Sequence, residues 1–405
     1  MKQIICVISM AVTAACFSWQ LNAQDWMQFR GPGASNVDSA AQIPVELGDN
    51  IAWKVELPGK GPAGPIVVGD RVFVSSSAGV GQDQLFVTCY DINNGDKIWE
   101  QEFWATGRCF CHSLSANAAP TPVSDGKHIY AFYSSNDLVC LDLDGNLKWF
   151  RGLAVDHPKA GHDTGMSSSP VVVDGVVICQ VENQGDSFVT GIDASTGKTL
   201  WEKERAKDIS WASPVVMSSN TGAKAVVQSS DRVTVLDVKT GESEWDLEKR
   251  PSTISSTTIN GNRMYLPIDG TTVYQFDNDG QFNEVWNSER VAASTSSLLA
   301  DENNLYTVGR GGIVSSFDAA EGKPGWKVRV GGSYWTTPII AGNHLYLFSQ
   351  EGQVSVVDIS ADTPDSERKV YEQQFEEEVF LCSPAISGDA MYMRSDKYLY
   401  KFSQQ

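Results

Sequence analysis

Basic residues are in short supply. Against 50 Asp and Glu, the 405-residue chain sets only 31 Lys and Arg, a formal charge of −19. Phosphate affinity needs a basic surface, so a general nucleic-acid binder and a protein held to an anionic membrane are both excluded. No apolar run reaches the roughly 18 residues of a spanning helix. Cysteine is sparse: beyond residue 23 only Cys89, Cys109, Cys111, Cys140, Cys179 and Cys382 occur, too few for a disulfide scaffold. Five scattered histidines and the lack of a Gly-x-Ser-x-Gly elbow leave no basis for serine hydrolysis. Cys109-Phe110-Cys111-His112 is not the Cys-x-x-Cys-His of covalent haem attachment.

Apolar residues, by contrast, make up 41% of the chain and aromatics 10%, which suits a large core rather than disorder. The length exceeds one ordinary globular core, so the chain either splits into domains or repeats a unit. Residues 1–23 read as an export signal: Lys2, a mostly apolar stretch 4–17, then Leu21-Asn22-Ala23 before the cleavage point. Lipid attachment at Cys16, after Thr13-Ala14-Ala15, is the alternative. A periplasmic or secreted protein is expected, with residues 24–405 as a single domain. Cys89, Cys140 and Cys179 fall in strand-like apolar runs and suit small buried hydrophobes. Cys109 and Cys111 lie in a loop, where a disulfide, a thiol pair and half a metal site stay open.

One unit recurs. A Ser/Thr/Pro-rich start leads to two or three apolar residues, a Gly/Asp/Asn turn, two alternating strands, Asp, a second tight turn and Trp. The Asp-to-Trp cassette stands at 91–99, 142–149, 193–201, 237–245, 277–286 and 318–326, with a worn copy from Asp358 to about Tyr371. Its tryptophans, Trp53, Trp99, Trp149, Trp201, Trp245, Trp286 and Trp326, recur at about 40–50 residues, the period of a four-stranded propeller blade. Asp-Gly and Asn-Gly mark hairpins because the turn needs positive φ, and the cassette Asp suits the turn amides. One blade cannot bury both faces of its sheet, so the seven indoles are expected between blades.

Strands are expected within 65–99, 120–149, 170–201, 214–245, 257–286, 297–326 and 338–371. Residues 384–402 then supply only three, and Ile51-Ala52-Trp53-Lys54-Val55-Glu56 is a strand without a blade. The expected fold is all-β: an eight-bladed propeller of four-stranded antiparallel blades, in which the N-terminal strand completes the C-terminal blade and removes an open edge. Seven blades, or a β-solenoid, are the alternatives.

The cassette Asp193-Ala194-Ser195-Thr196-Gly197-Lys198-Thr199-Leu200-Trp201 resembles the pyrroloquinoline-quinone (PQQ) repeat of quinoprotein alcohol dehydrogenases. It resembles equally the repeat of the outer-membrane β-barrel assembly lipoprotein, which shares the propeller without catalysis. The opening Asp25-Trp26-Met27-Gln28-Phe29-Arg30-Gly31-Pro32 looks like the start of exported PQQ-like repeat proteins. The likeness spans about residues 25–402.

In the resembling enzymes the quinone lies near the axis, held by loops that enter the innermost strands. By that resemblance the ligand or partner candidates here are His112, Asn117, His162, Asp163, Trp211, Tyr334 and Trp335, set among Ser and Thr residues whose plainer role is to satisfy inner-strand amides. Those enzymes also use a vicinal Cys-Cys ring, a calcium ion held by Glu, Asn and Asp, and an Asp base. This chain has no Cys-Cys pair, and its loops offer only Asp163, Asp208 and Glu376-Glu377-Glu378. Zinc or copper on Cys109, Cys111, His112 and His162 departs from the usual Cys-x₂₋₄-Cys spacing. No catalytic residue, metal ligand or cofactor is therefore assigned. The expectation is a monomeric, exported, non-catalytic scaffold presenting its loop-rich face to an envelope protein, peptide or carbohydrate, with outer strand edges as a second binding mode. A PQQ- and calcium-dependent alcohol or sugar dehydrogenase is the alternative.

Overall fold

Eight antiparallel sheets stand in a ring in the computed structural model, which describes residues 25–161, 163–277 and 279–404. Blades 1 to 7 follow the chain at 66–104, 123–152, 171–204, 215–247, 258–288, 299–329 and 339–374. Blade 8 takes Ala385–Ser387, Ala390–Arg394 and Tyr398–Ser403 from the C-terminal side and its outermost strand, Ile51–Glu56, from the N-terminal side. Trp53 pairs with Lys401, and its ring lies 5.9 Å from that of Tyr392, so the two ends share a blade. The worn seventh unit is a full blade, ended by Lys369–Gln374. It also gains a short fifth strand, Val37–Asp38, parallel to its inner strand Ile339–Ala341. Residues 1–23, with the expected signal and Cys16, fall outside the described residues. Among those described, no helix is long and apolar enough to cross a membrane.

Burial follows radial position. Val176–Val181 is buried throughout, having blades on both sides, whereas every residue of the outer strand Lys97–Trp104 is either half-buried or exposed. The core therefore lies between blades: Phe73, Leu85 and Val87 of blade 1 pack against Ile129, Ala131 and Val139 of blade 2. The cassette holds the wedge together. The indole N–H groups of Trp53, Trp99, Trp149 and Trp201 donate to carbonyls of Ile92, Leu143, Ala194 and Val238 in the following blade, at 2.8–3.2 Å. Each ring also covers the turn glycine beside that carbonyl, so a Cβ at Gly95, Gly145, Gly197 or Gly241 would fall 2.5–2.9 Å from it. Trp245 instead stacks on Phe282, and Trp326 lies beneath the Arg368 guanidinium of the worn unit, 4.4 Å from its centroid.

Residues 25–43 form a stopper in the bore. Antiparallel alternation puts the starts of all inner strands at one face of the ring and the Asp turns at the other. From the turn face, Trp26 pairs with Val67 of blade 1, and the Met27 carbonyl accepts the Ser124 amide of blade 2. Arg30 then reaches blades 5 and 6, donating to Thr257 O, Thr258 Oγ1 and Leu298 O. Asn36 donates to Thr337 O and Pro338 O of blade 7, after which the chain descends beside that blade. The reversal needs Gly31, whose φ is 65° and whose Cβ would lie 2.5 Å from the Trp26 ring.

Candidate functional site

The bore opens at the inner-strand face into a cavity of about 370 Å³. A hydroxyl necklace surrounds it. The amide of Gly64 donates to Thr121 Oγ1, that of Thr121 to Ser169 Oγ, and so on through Ser213, Ser256, Ser297 and Thr337 to Ser383, at 2.9–3.3 Å. Every blade contributes one position, just before its inner strand. The repeated Ser/Thr thus satisfies a buried amide of its neighbour, which the strand's own ladder cannot reach. Blade 1 has glycine there, because a Cβ on Gly64 would lie 2.7 Å from the Ser383 carbonyl oxygen.

Above the necklace the wall is largely apolar. His112, Leu114, Trp211, Ile254, Trp335 and Leu381 line it, and Phe29 of the stopper closes it from below. Loop contacts hold these side chains: the Trp211 indole donates to Gly165 O at 2.8 Å, and the Leu114 amide donates to His112 Nδ1 at 3.2 Å. Trp335 stands 46% exposed at the mouth. Leu114 of the wall is likewise exposed, and Trp104 and Phe110 add exposed apolar surface elsewhere.

The seven candidates divide. His112, Trp211 and Trp335 converge on the cavity. Asn117 does not line it: the side chain is buried between blades 1 and 2, donating to Gln82 O and accepting the Ser135 amide. Asp163 is turned to solvent and paired with Arg108 at 2.9 Å. Tyr334 is packed with Leu345 and Leu347 between blades 6 and 7, and burial pushes its phenol up to about 12. His162 lies outside the described residues. Phe29, Leu114, Ile254 and Leu381 were not singled out from sequence. Their signal was weak, an isolated apolar residue in a polar loop or ahead of the first blade.

Among the described residues the lining holds no Asp, Glu, Lys or Arg. The oxygen-rich cage a calcium ion takes therefore has no carboxylate to build on at this cavity, and the residues present do not fit the PQQ–calcium pair. Among the described residues no three His, Cys, Asp or Glu side chains gather as a metal site. Cys109 and Cys111 are half-buried thiols, and burial, with Asp137 nearby, pushes Cys109 up to about 11, away from the thiolate.

The family model described as outer membrane protein assembly factor BamB matches residues 48–188, 185–298 and 269–397. A curated relative, the outer membrane protein assembly factor BamB of Moranella endobia (strain PCIT), is 27% identical over 138 residues, 34% of this chain. That match spans 32% of the relative, about a third of its length. Among solved structures, BamB from Moraxella catarrhalis is similar with a TM-score of 0.62 at 15% identity, covering 88% of this chain and 97% of that one. A europium-containing methanol dehydrogenase reaches 0.70 at 12%, covering 94% and 98%. At such identities the solved structures share the fold alone. The family model, however, spans nearly the whole ring, and the chain belongs to the BamB family.

Proposed function

We propose that this propeller is an exported scaffold of the cell envelope that holds a protein partner at its funnel face, with neither cofactor nor chemistry of its own. The observation that carries this reading is the funnel lining: aromatics and aliphatics over a belt of hydroxyls, among whose described residues there is no acid, lysine or arginine. General acid–base catalysis asks for titratable groups positioned against each other, and among the described lining residues there is no carboxylate, lysine or arginine to form such a pair. Binding asks for less. A rigid ring presents loop side chains at small ordering cost, and the Trp335 and Leu114 side chains at the mouth have the character of interface anchors. Family membership favours a protein partner over a carbohydrate.

Purified protein mixed with solubilised envelope extract tests this. The wild type should retain a discrete partner, and Trp335→Ser with Leu114→Ser should lower its recovery at least tenfold while leaving Tm unchanged. Equal recovery by both would overturn the reading. So would dye reduction with alcohols or sugars after addition of PQQ and calcium.

A further inference from the structure

The funnel floor carries donors without acceptors. Each of the seven necklace hydroxyls uses its oxygen to accept a neighbouring amide, and among the described residues none donates to a protein acceptor. A hydroxyl has a proton as well as lone pairs. Seven O–H groups, all on side chains more than nine-tenths buried, are thus left for whatever fills the cavity.

A buried cation is bound beside two necklace positions. The Arg30 guanidinium is bound one and two residues past Ser256 and one past Ser297, to Thr257 O, Thr258 Oγ1 and Leu298 O, all of them neutral acceptors. It is 1% exposed, its Nε has no partner, and among the described residues no carboxylate stands within ion-pair distance. Burial pushes it down to about 9. A buried charge without its counter-ion is costly, and an anion seated on the necklace would offset that cost. The stopper adds a geometric condition. Because Phe29 of the stopper lines the cavity floor, a chain does not thread the ring there; what reaches the necklace is a chain end or a tight loop, and of these a C-terminal end carries its own carboxylate.

We infer that the funnel captures the C-terminus of a partner polypeptide, its carboxylate on the hydroxyl necklace beside Arg30 and its last apolar side chains between Trp211, Ile254, Trp335 and Leu381. This rests on the scaffold reading and names the part of the partner that is held. The cavity has the size of sites that enclose small ligands, so it takes a chain end and excludes a folded surface.

The test uses the full chain and a peptide library with Ala, Val, Leu and Phe mixed at the last three positions, made once with a free carboxylate and once as the C-terminal amide. Binding is read by tryptophan fluorescence. The acid library should contain binders at least tenfold tighter than any amide counterpart, and at least tenfold tighter than hexanoate, a free acid without peptide groups. Ser297→Ala should weaken the best acid peptide at least threefold and leave its amide unaffected; Arg30→Gln should do the same if it folds. Equal binding of acid and amide, or no saturable binding by either library, overturns the inference. Hexanoate as tight as the peptide overturns the assignment to a polypeptide end. Any of these with Trp335-dependent partner recovery intact leaves the scaffold reading standing.

Discussion

The contact that repeats round the ring is an indole lying on a glycine. Trp201 shows it in full: the ring is 8% exposed, its N–H donates to Val238 O, and it leaves Gly241 no room for a Cβ. Trp201→Ala should cost about 3–5 kcal/mol, the range for large aromatics removed from cores. Gly241→Ala should cost about 1–3 kcal/mol, from overpacking and from its φ of 70°. Placed together they should cost less than their sum, since the new methyl enters space the indole has left. Gly175→Ala, at φ 77° with nothing within 4 Å, isolates the backbone contribution. Urea midpoints at constant slope measure all four. The tryptophans were legible because they recur at a fixed period. Loop side chains had no period to read: adjacent residues Tyr334 and Trp335 look equally suited to a site, yet one is buried between blades and the other stands at the mouth.

At the scale of the element, the Asp turn leads into the outer strand of blades 1 to 7 and ties the fold to pH. Asp193 accepts the amides and hydroxyls of Ser195 and Thr196, and these bonds hold its carboxyl below the ordinary carboxylate range. Asp142 is lowered too, first by Lys148 and then by Asn146. A folded pKa below the unfolded one stabilises in full above the unfolded value and is lost as pH falls through the folded value. Tm should therefore stay nearly level from about pH 7 to 5 and drop below about pH 4. Asp193→Asn keeps one acceptor oxygen but loses the charge, so its Tm should be lower at neutral pH and its acid fall shallower. An identical slope for variant and wild type would remove Asp193 from the linkage. The turns could be read from local chemistry. The stopper could not, because residues 25–43 follow neither the repeat nor a strand alternation. Only the leftover Trp26, Phe29 and Arg30, apolar bulk and charge without a blade, hinted that they belong inside.

For the whole molecule, closure has two parts that the chain places in series, a stopper at 25–43 and the outer strand Ile51–Glu56 of blade 8. They act at different radii. The stopper bonds inner-strand amides directly: Val67 to Trp26 O, Ser124 to Met27 O and Ile340 to Asn36 O. The outer strand covers an edge that would otherwise be open to pairing with other chains. A variant lacking 24–43 but keeping Ile51–Glu56 should still close its ring and fold. Its Val67, Ser124 and Ile340 amides should exchange with solvent at least tenfold faster, while those of Tyr398–Ser403 keep their protection. A variant lacking 24–56 should lose protection throughout blade 8 and associate at micromolar concentration through the uncovered strand. Hydrogen exchange read by mass spectrometry separates the two. Acceleration spread evenly over all eight blades in the shorter deletion would mean that the bore, and not the shared blade, carries closure. The indole wedges would then be consequences of a ring assembled around its stopper.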